Sequence, residues 1–173
     1  MLAWITSLQF LSAYLYDLFE VKRTTITLTF FLIGLTWSLA NFIVNPLLNR
    51  VMKPQKIFLI GMTLLAIFLV LTLIPHLPLF LFLTHFIIAT LCAALSWTNG
   101  LALISTHASA KNQGTILGVN QSIVAIASIT GPLIGGPLAG IDIHRLYLFT
   151  ATSALLGAVL LFIHSFSWNK TNA

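Results

Sequence analysis

Carboxylates are nearly absent from this chain: Asp17, Glu20 and Asp142 are its only acids, and charged residues of both signs make up 6% of 173. A soluble domain carries about 25% charged residues, so the chain is not built to face water on every side. The shortage of acids also removes the paired carboxylates of general acid and base catalysis. No nucleophile–base pair or phosphate loop replaces them, and enzymatic activity is not expected. A single cysteine, Cys92, excludes a disulfide within the chain. Set in an apolar run, it reads as a small packing side chain. The eight basic residues lie singly or in short groups. They form no basic stripe of the kind that tracks phosphates, which argues against nucleic acid as a partner. Five histidines, His76, His85, His107, His144 and His164, show no ligand spacing, so neither a metal nor another cofactor is implied.

Long apolar runs are what the chain has instead. Hydrophobic residues reach 58% and the mean hydropathy is +1.02. A bilayer core about 30 Å thick needs roughly 20 apolar residues in a helix. With charges and Pro/Gly clusters as punctuation, six spans result, at 2–19, 24–46, 57–75, 79–106, 114–140 and 146–166, in one domain covering 1–173. The third span holds thirteen Ile, Leu, Val or Phe residues. These supply roughly −4 to −8 kcal/mol of insertion free energy. The first span is the weakest, interrupted by Gln9, Ser12 and Asp17. It lacks a basic leader and a small-residue cleavage site, so it reads as a retained span. With both termini in the cytoplasm, the inner surface holds five basic residues, Arg50, Lys53, Lys56, Lys111 and Lys170, and no acid. The outer surface then holds three, Lys22, Arg23 and Arg145, with all three acids. The excess of positive charge inside favours this orientation.

The stretch Lys111-Asn-Gln-Gly-Thr-Ile-Leu-Gly-Val-Asn-Gln-Ser122, followed by an uncharged run ending in Gly131-Pro-Leu-Ile-Gly-Gly136, resembles the lead-in and eleventh helix of a major facilitator superfamily transporter. Tyr14-Leu-Tyr-Asp-Leu-Phe19 looks like the close of the seventh helix in drug and sugar efflux members. Asn45-Pro-Leu-Leu-Asn-Arg50 resembles the weaker copy of the family's Gly-x-Leu-x-Asp-Arg loop, with Asn45 and Asn49 replacing its Gly and Asp. That departure leaves a structural turn and Arg50 but no gating acid. An amino-half alignment would put an arginine near the start of the fourth span, where His85 stands, and would leave Gln121-Ser122 unexplained. The resemblance therefore implies an all-α membrane protein, the six-helix carboxyl-terminal half of the major facilitator fold.

Polar residues inside the spans are the candidate functional groups. Gln9, Ser12 and Tyr16 share one stripe of the first span, and Gln9 and Tyr16 are assigned to substrate contact. Trp37, Asn41 and Asn45 share a face of the second. Asn41 is assigned to the cavity, the alternative being a bond to a neighbouring helix. Cys92, Ser96 and Asn99 form a similar stripe, with Asn99 a further cavity candidate. Asn120 and Gln121 are adjacent and point about 100° apart, so Gln121 is given to the cavity and Asn120 to a partner helix. Gly114/Gly118, Gly131/Gly135 and Gly136/Gly140 make steps that allow close helix approach, and Pro132 and Pro137 should kink the span. His85 reads as interfacial. The implied function is half of a secondary transporter, for multidrug or small-molecule efflux, in a bacterial inner membrane. Its partners would be the lipid bilayer, a small-molecule substrate and a separately encoded amino-terminal half. The alternative is a transporter fragment without transport activity.

Overall fold

The computed structural model describes residues 1–74, 76–107, 109 and 111–171, with side chains for all of these except His107 and 164–171. Every regular element among them is helical: α1 (Leu2–Gln9), α2 (Leu11–Phe19), α3 (Arg23–Leu39), a π-helical turn (Ala40–Val44), α4 (Asn45–Val51), α5 (Pro54–Leu71), α6 (Leu79–His107), α7 (Gln113–Ile141) and α8 (Ile143–Thr171). Five stretches are long and apolar enough to cross a bilayer: Arg23–Val51, Pro54–Leu71, Leu79–Thr106, Gln113–Ile141 and Ile143–Ile163. They correspond to the second to sixth expected spans.

The first span departs from expectation, because 2–19 is not one continuous helix. Phe10 interrupts it with φ −97° and ψ 3°, leaving pieces of eight and nine residues. The chain stays coiled across the break, since Phe10 N–H bonds to the Thr6 carbonyl at 3.2 Å and Tyr14 N–H to the Phe10 carbonyl at 2.9 Å. The tertiary surroundings account for the interruption. The Tyr147 hydroxyl of α8 donates to the Ser7 carbonyl at 3.1 Å, entering the carbonyl row of α1 one turn before the break. The Phe10 ring lies over Gly135 of α7, where an added Cβ would come within 2.8 Å of Cε2.

A second departure concerns 45–50, expected as a turn and found as helix α4. Pro46 cannot donate a backbone hydrogen bond and would crowd the carbonyl four residues back in an ordinary α-helix. Here the preceding turn is widened, with Asn45 N–H bonded to the Ala40 carbonyl five residues back. The wider turn lets the helix run on through the proline. Expected ends elsewhere fall within a few residues of those observed, except that α5 stops at Leu71 rather than at 75; Pro75 lies outside the described residues.

In chain order the helices form two runs, α1 to α5 and α6 to α8, which pack mainly against each other. The first helix of each run lies on the middle helix of the other, α1 on α7 and α6 on α3, while the last helices α5 and α8 lie on each other. The same exchange repeats for α1 on α8 and α6 on α5. The α5–α6 contact is close because Gly61 faces Ser96, and a Cβ there would lie 3.1 Å from the Cys92 carbonyl. Aromatic rings fill the centre: Tyr14 stacks on Phe82 at 4.8 Å and tilts on Tyr147 at 4.3 Å. Such pairs contribute about 0.5–1.5 kcal/mol beyond burial. The Tyr14 hydroxyl is satisfied by the Thr72 carbonyl at 3.2 Å.

Candidate functional site

Helix α7 shows most plainly how the bundle distributes its faces. At 100° per residue, Asn120, Val124, Ala127, Gly131, Gly135 and Leu138 form one stripe, and all are buried or half-buried. Ile116, Val119, Ile123, Ile126 and Leu133 form a second, exposed and apolar, of the kind that suits lipid. The third holds Gly114, Gly118, Gln121, Ala125, Pro132 and Gly136, small or polar and, apart from half-buried Gly136, exposed.

The glycine steps divide along these faces. A Cβ on Gly131 would clash with Thr6 Oγ1, and one on Gly135 would meet Phe10 at 2.8 Å, Leu146 Cδ1 at 3.1 Å and Thr6 Cγ2 at 3.2 Å. This step therefore sets the approach of α1 to α7. Gly114, Gly118, Gly136 and Gly140 have no heavy atom within 4 Å of an added Cβ, so the close helix contact expected at those steps is not made among the described residues. Pro132 and Pro137 lie inside a helix that runs on from Gln113 to Ile141.

Gln9, Ser12 and Tyr16 are all exposed, Tyr16 at 66%, so their stripe lies on an open face. The Gln9 carboxamide oxygen lies 3.6 Å from the point where a Gly131 Cβ would stand, which places it beside α7. Gln121 is also open.

The two asparagines assigned to the cavity sit differently. Asn41 gives its amide N–H to the Trp37 carbonyl at 2.9 Å and accepts from the Thr98 hydroxyl of α6. Asn99 is 1% exposed, donating to Asn45 Oδ1 at 2.7 Å and to the Leu95 carbonyl at 2.8 Å. Asn45 Oδ1 also accepts from Asn49 at 3.0 Å. Together they make a polar seam binding α6 to the π turn and α4. Asn99 is expected at the cavity but lies inside the bundle, because Asn45, one helix away, offers the acceptor that a buried amide requires. Arg50 is exposed in the last turn of α4, where a cation suits the helix dipole. His85 is half-buried, bonded to the Leu81 carbonyl at 2.5 Å and set against Phe68.

Residues that sequence reasoning passed over line two apolar hollows. Trp4 stacks on Trp37 at 6.2 Å, and with Ile33, Trp97 and Val124 these rings border one hollow between α1, α3, α6 and α7. The other lies between α5, α6, α7 and the start of α1, with Ser96 and Asn120 as polar side chains in its wall. Tryptophan at three separate places was the available sequence signal. No group of three or more potential metal ligands occurs among the described residues, and the His107 and His164 side chains lie outside them.

A family model described as Major Facilitator Superfamily matches residues 1–171. No curated protein and no solved structure matches the chain.

Proposed function

The chain belongs to the major facilitator superfamily of membrane transporters, and from that premise we propose that it forms the carboxyl-terminal half of a small-molecule efflux transporter in a bacterial inner membrane, working with a separate amino-terminal half. The observation that carries this reading is the third face of α7. Gly114, Gly118, Gln121, Ala125 and Pro132 stand exposed on a membrane helix, where lipid would favour large apolar side chains and an unpaired carboxamide is costly. Small residues suit close approach by another helix. The open stripe of Gln9, Ser12 and Tyr16 offers a second polar surface of the same kind. Alternating access in transporters of this type rocks one half against the other around a site near the bilayer midplane, so a half alone lacks one wall of that site. Substrate contact is assigned to Gln9, Tyr16 and Gln121, whose side chains are free to meet it. Asn41 and Asn99 hold the seam between helices instead.

The test is drug resistance in an efflux-deficient bacterium. Alone, the chain should give no resistance to amphipathic drugs. Joined to a matching amino half, it should restore export, and Gln9→Ala or Gln121→Ala should then alter the substrate profile while leaving protein level unchanged. Drug extrusion by the chain alone overturns the two-half requirement. Export by the joined protein that is indifferent to both substitutions overturns the residue assignment only.

A further inference from the structure

A third hollow lies at the end of the bundle that carries the acids, between α2, the α5–α6 connection and the start of α8, apart from the stripe of Gln9, Tyr16 and Gln121. Its volume is about 720 Å³, and its walls combine Leu18, Ile74 and Leu148 with His76, Asp142 and Arg145. We propose that it binds a zwitterionic phospholipid whose headgroup joins a phosphate to a primary ammonium, a phosphatidylethanolamine.

Position, charge and an apolar flank carry the inference. The hollow stands where α2 ends at Phe19, α6 begins at Leu79 and α8 begins at Ile143, and the ends of membrane helices lie at the depth of lipid headgroups. Leu18, Ile74 and Leu148 are exposed, so the hollow continues into apolar surface that suits acyl chains. Asp142 and Arg145 are exposed as well and, among the described residues, neither forms an ion pair. Opposite charges at the start of one helix are thus held apart, and a ligand carrying both signs answers both. A fatty acid would answer only Arg145, and an aliphatic amine only Asp142. The ammonium must be primary. One Asp142 oxygen accepts the His144 N–H at 2.9 Å, leaving the other to accept from an N–H donor, which a quaternary choline lacks. His76 and His144 also border the hollow, His144 set edge-on to Tyr14 at 6.0 Å, and their rings offer N–H donors to the phosphate. All of these groups belong to this chain, so the lipid binds whether or not an amino-terminal half is present.

Native mass spectrometry of the full chain released from detergent, titrated with phosphatidylethanolamine, phosphatidylcholine and phosphatidylglycerol of identical acyl chains, tests the site. The ethanolamine lipid should bind about two- to fivefold more tightly than either of the others, the range an exposed ion pair supplies. Asp142→Asn keeps an oxygen to cap α8 and removes the charge, so it should fold with an unchanged thermal profile and lose that preference. Arg145→Gln should weaken all three lipids alike, because each presents a phosphate to it. Soluble glycerophosphoethanolamine carries the same headgroup without acyl chains, and at equal concentration it should displace no lipid. The proposal is overturned if the three lipids bind equally, if Asp142→Asn keeps the preference, if Arg145→Gln leaves phospholipid affinity unchanged, or if the soluble headgroup competes as well as the lipid does.

Discussion

Thr6 packs its side chain against Gly131 and Gly135, and its hydroxyl finds no partner there. Packing and polarity therefore make opposite demands at one residue, and substitutions separate them. Thr6→Val keeps the shape and removes the unmet hydroxyl, so it should be neutral or stabilising by up to about 1 kcal/mol. Gly135→Leu drives a side chain into Phe10, Leu146 and Thr6, and overpacking of this kind costs about 1–3 kcal/mol. Thermal profiles of the purified chain in detergent measure both. A loss of 2 kcal/mol or more in Thr6→Val would mean that a buried water or another group satisfies the hydroxyl. An unchanged profile for Gly135→Leu would mean that the α1–α7 contact yields without cost. That glycines at these spacings favour close approach was legible in the sequence; which of the three steps meets a neighbour was not. The answer depends on the rotation of α7, and rotation is set by the helices it lies on. For the same reason Asn120 could be assigned inward, while its lack of an acceptor there could not be foreseen.

Among the elements, the long apolar helices were legible because insertion into lipid is decided by composition along a single stretch. The break at Phe10 and the helical course of 45–50 were not, because both depend on distant or non-additive effects. Tyr147 reaches Ser7 across 140 residues of sequence, and Pro46 is tolerated only because the π turn precedes it. That turn also sets the rotation of α4, bringing Asn45 to Asn99 while Asn41 meets Thr98. The seam's strength is testable. Cross-helix hydrogen bonds in membranes average about 0.6 kcal/mol and reach about 1.7, and a fully buried amide belongs near the upper end. Asn99→Leu should therefore lower stability by about 1–2 kcal/mol. Combined with Asn45→Leu, it should show a coupling of about 0.6–1.7 kcal/mol in a double-mutant cycle of reversible unfolding in mixed micelles. A coupling indistinguishable from zero would mean that the two amides are neighbours without being energetic partners, and would remove the argument that the π turn serves to align them.

For the whole molecule, helix order fixes which connections share an end, and the charges give an expectation of which end is cytoplasmic. The α4–α5 and α6–α7 connections lie on one side, with Arg50, Lys53, Lys56 and Lys111 in or beside them and no acid. The α2–α3 and α7–α8 connections lie on the other, where Lys22, Arg23 and Arg145 stand among Asp17, Glu20 and Asp142. Whether the amino terminus lies on the side of the α4–α5 connection depends on α1 and α2 together making one crossing, so the divided helix is tested along with the topology. Their 18 residues from Leu2 to Phe19 reach about 27 Å at 1.5 Å per residue, close to the thickness of the hydrocarbon core. Basic residues near span ends hold their connections in the cytoplasm, whereas acids contribute little. Alkaline phosphatase fused within 141–145 should therefore be active, and the same enzyme fused after Lys170 should be inactive while a fluorescent protein there glows. A further phosphatase fusion after Val21 isolates the first crossing: activity is expected, because the divided helix must carry that loop to the outside. Inactive enzyme at both Val21 and 141–145, which four crossings place on the same side, would mean that α1 and α2 do not cross, leaving a five-span chain. Active enzyme after Lys170 would invert the orientation and remove the topology that the proposed pairing with an amino-terminal half requires.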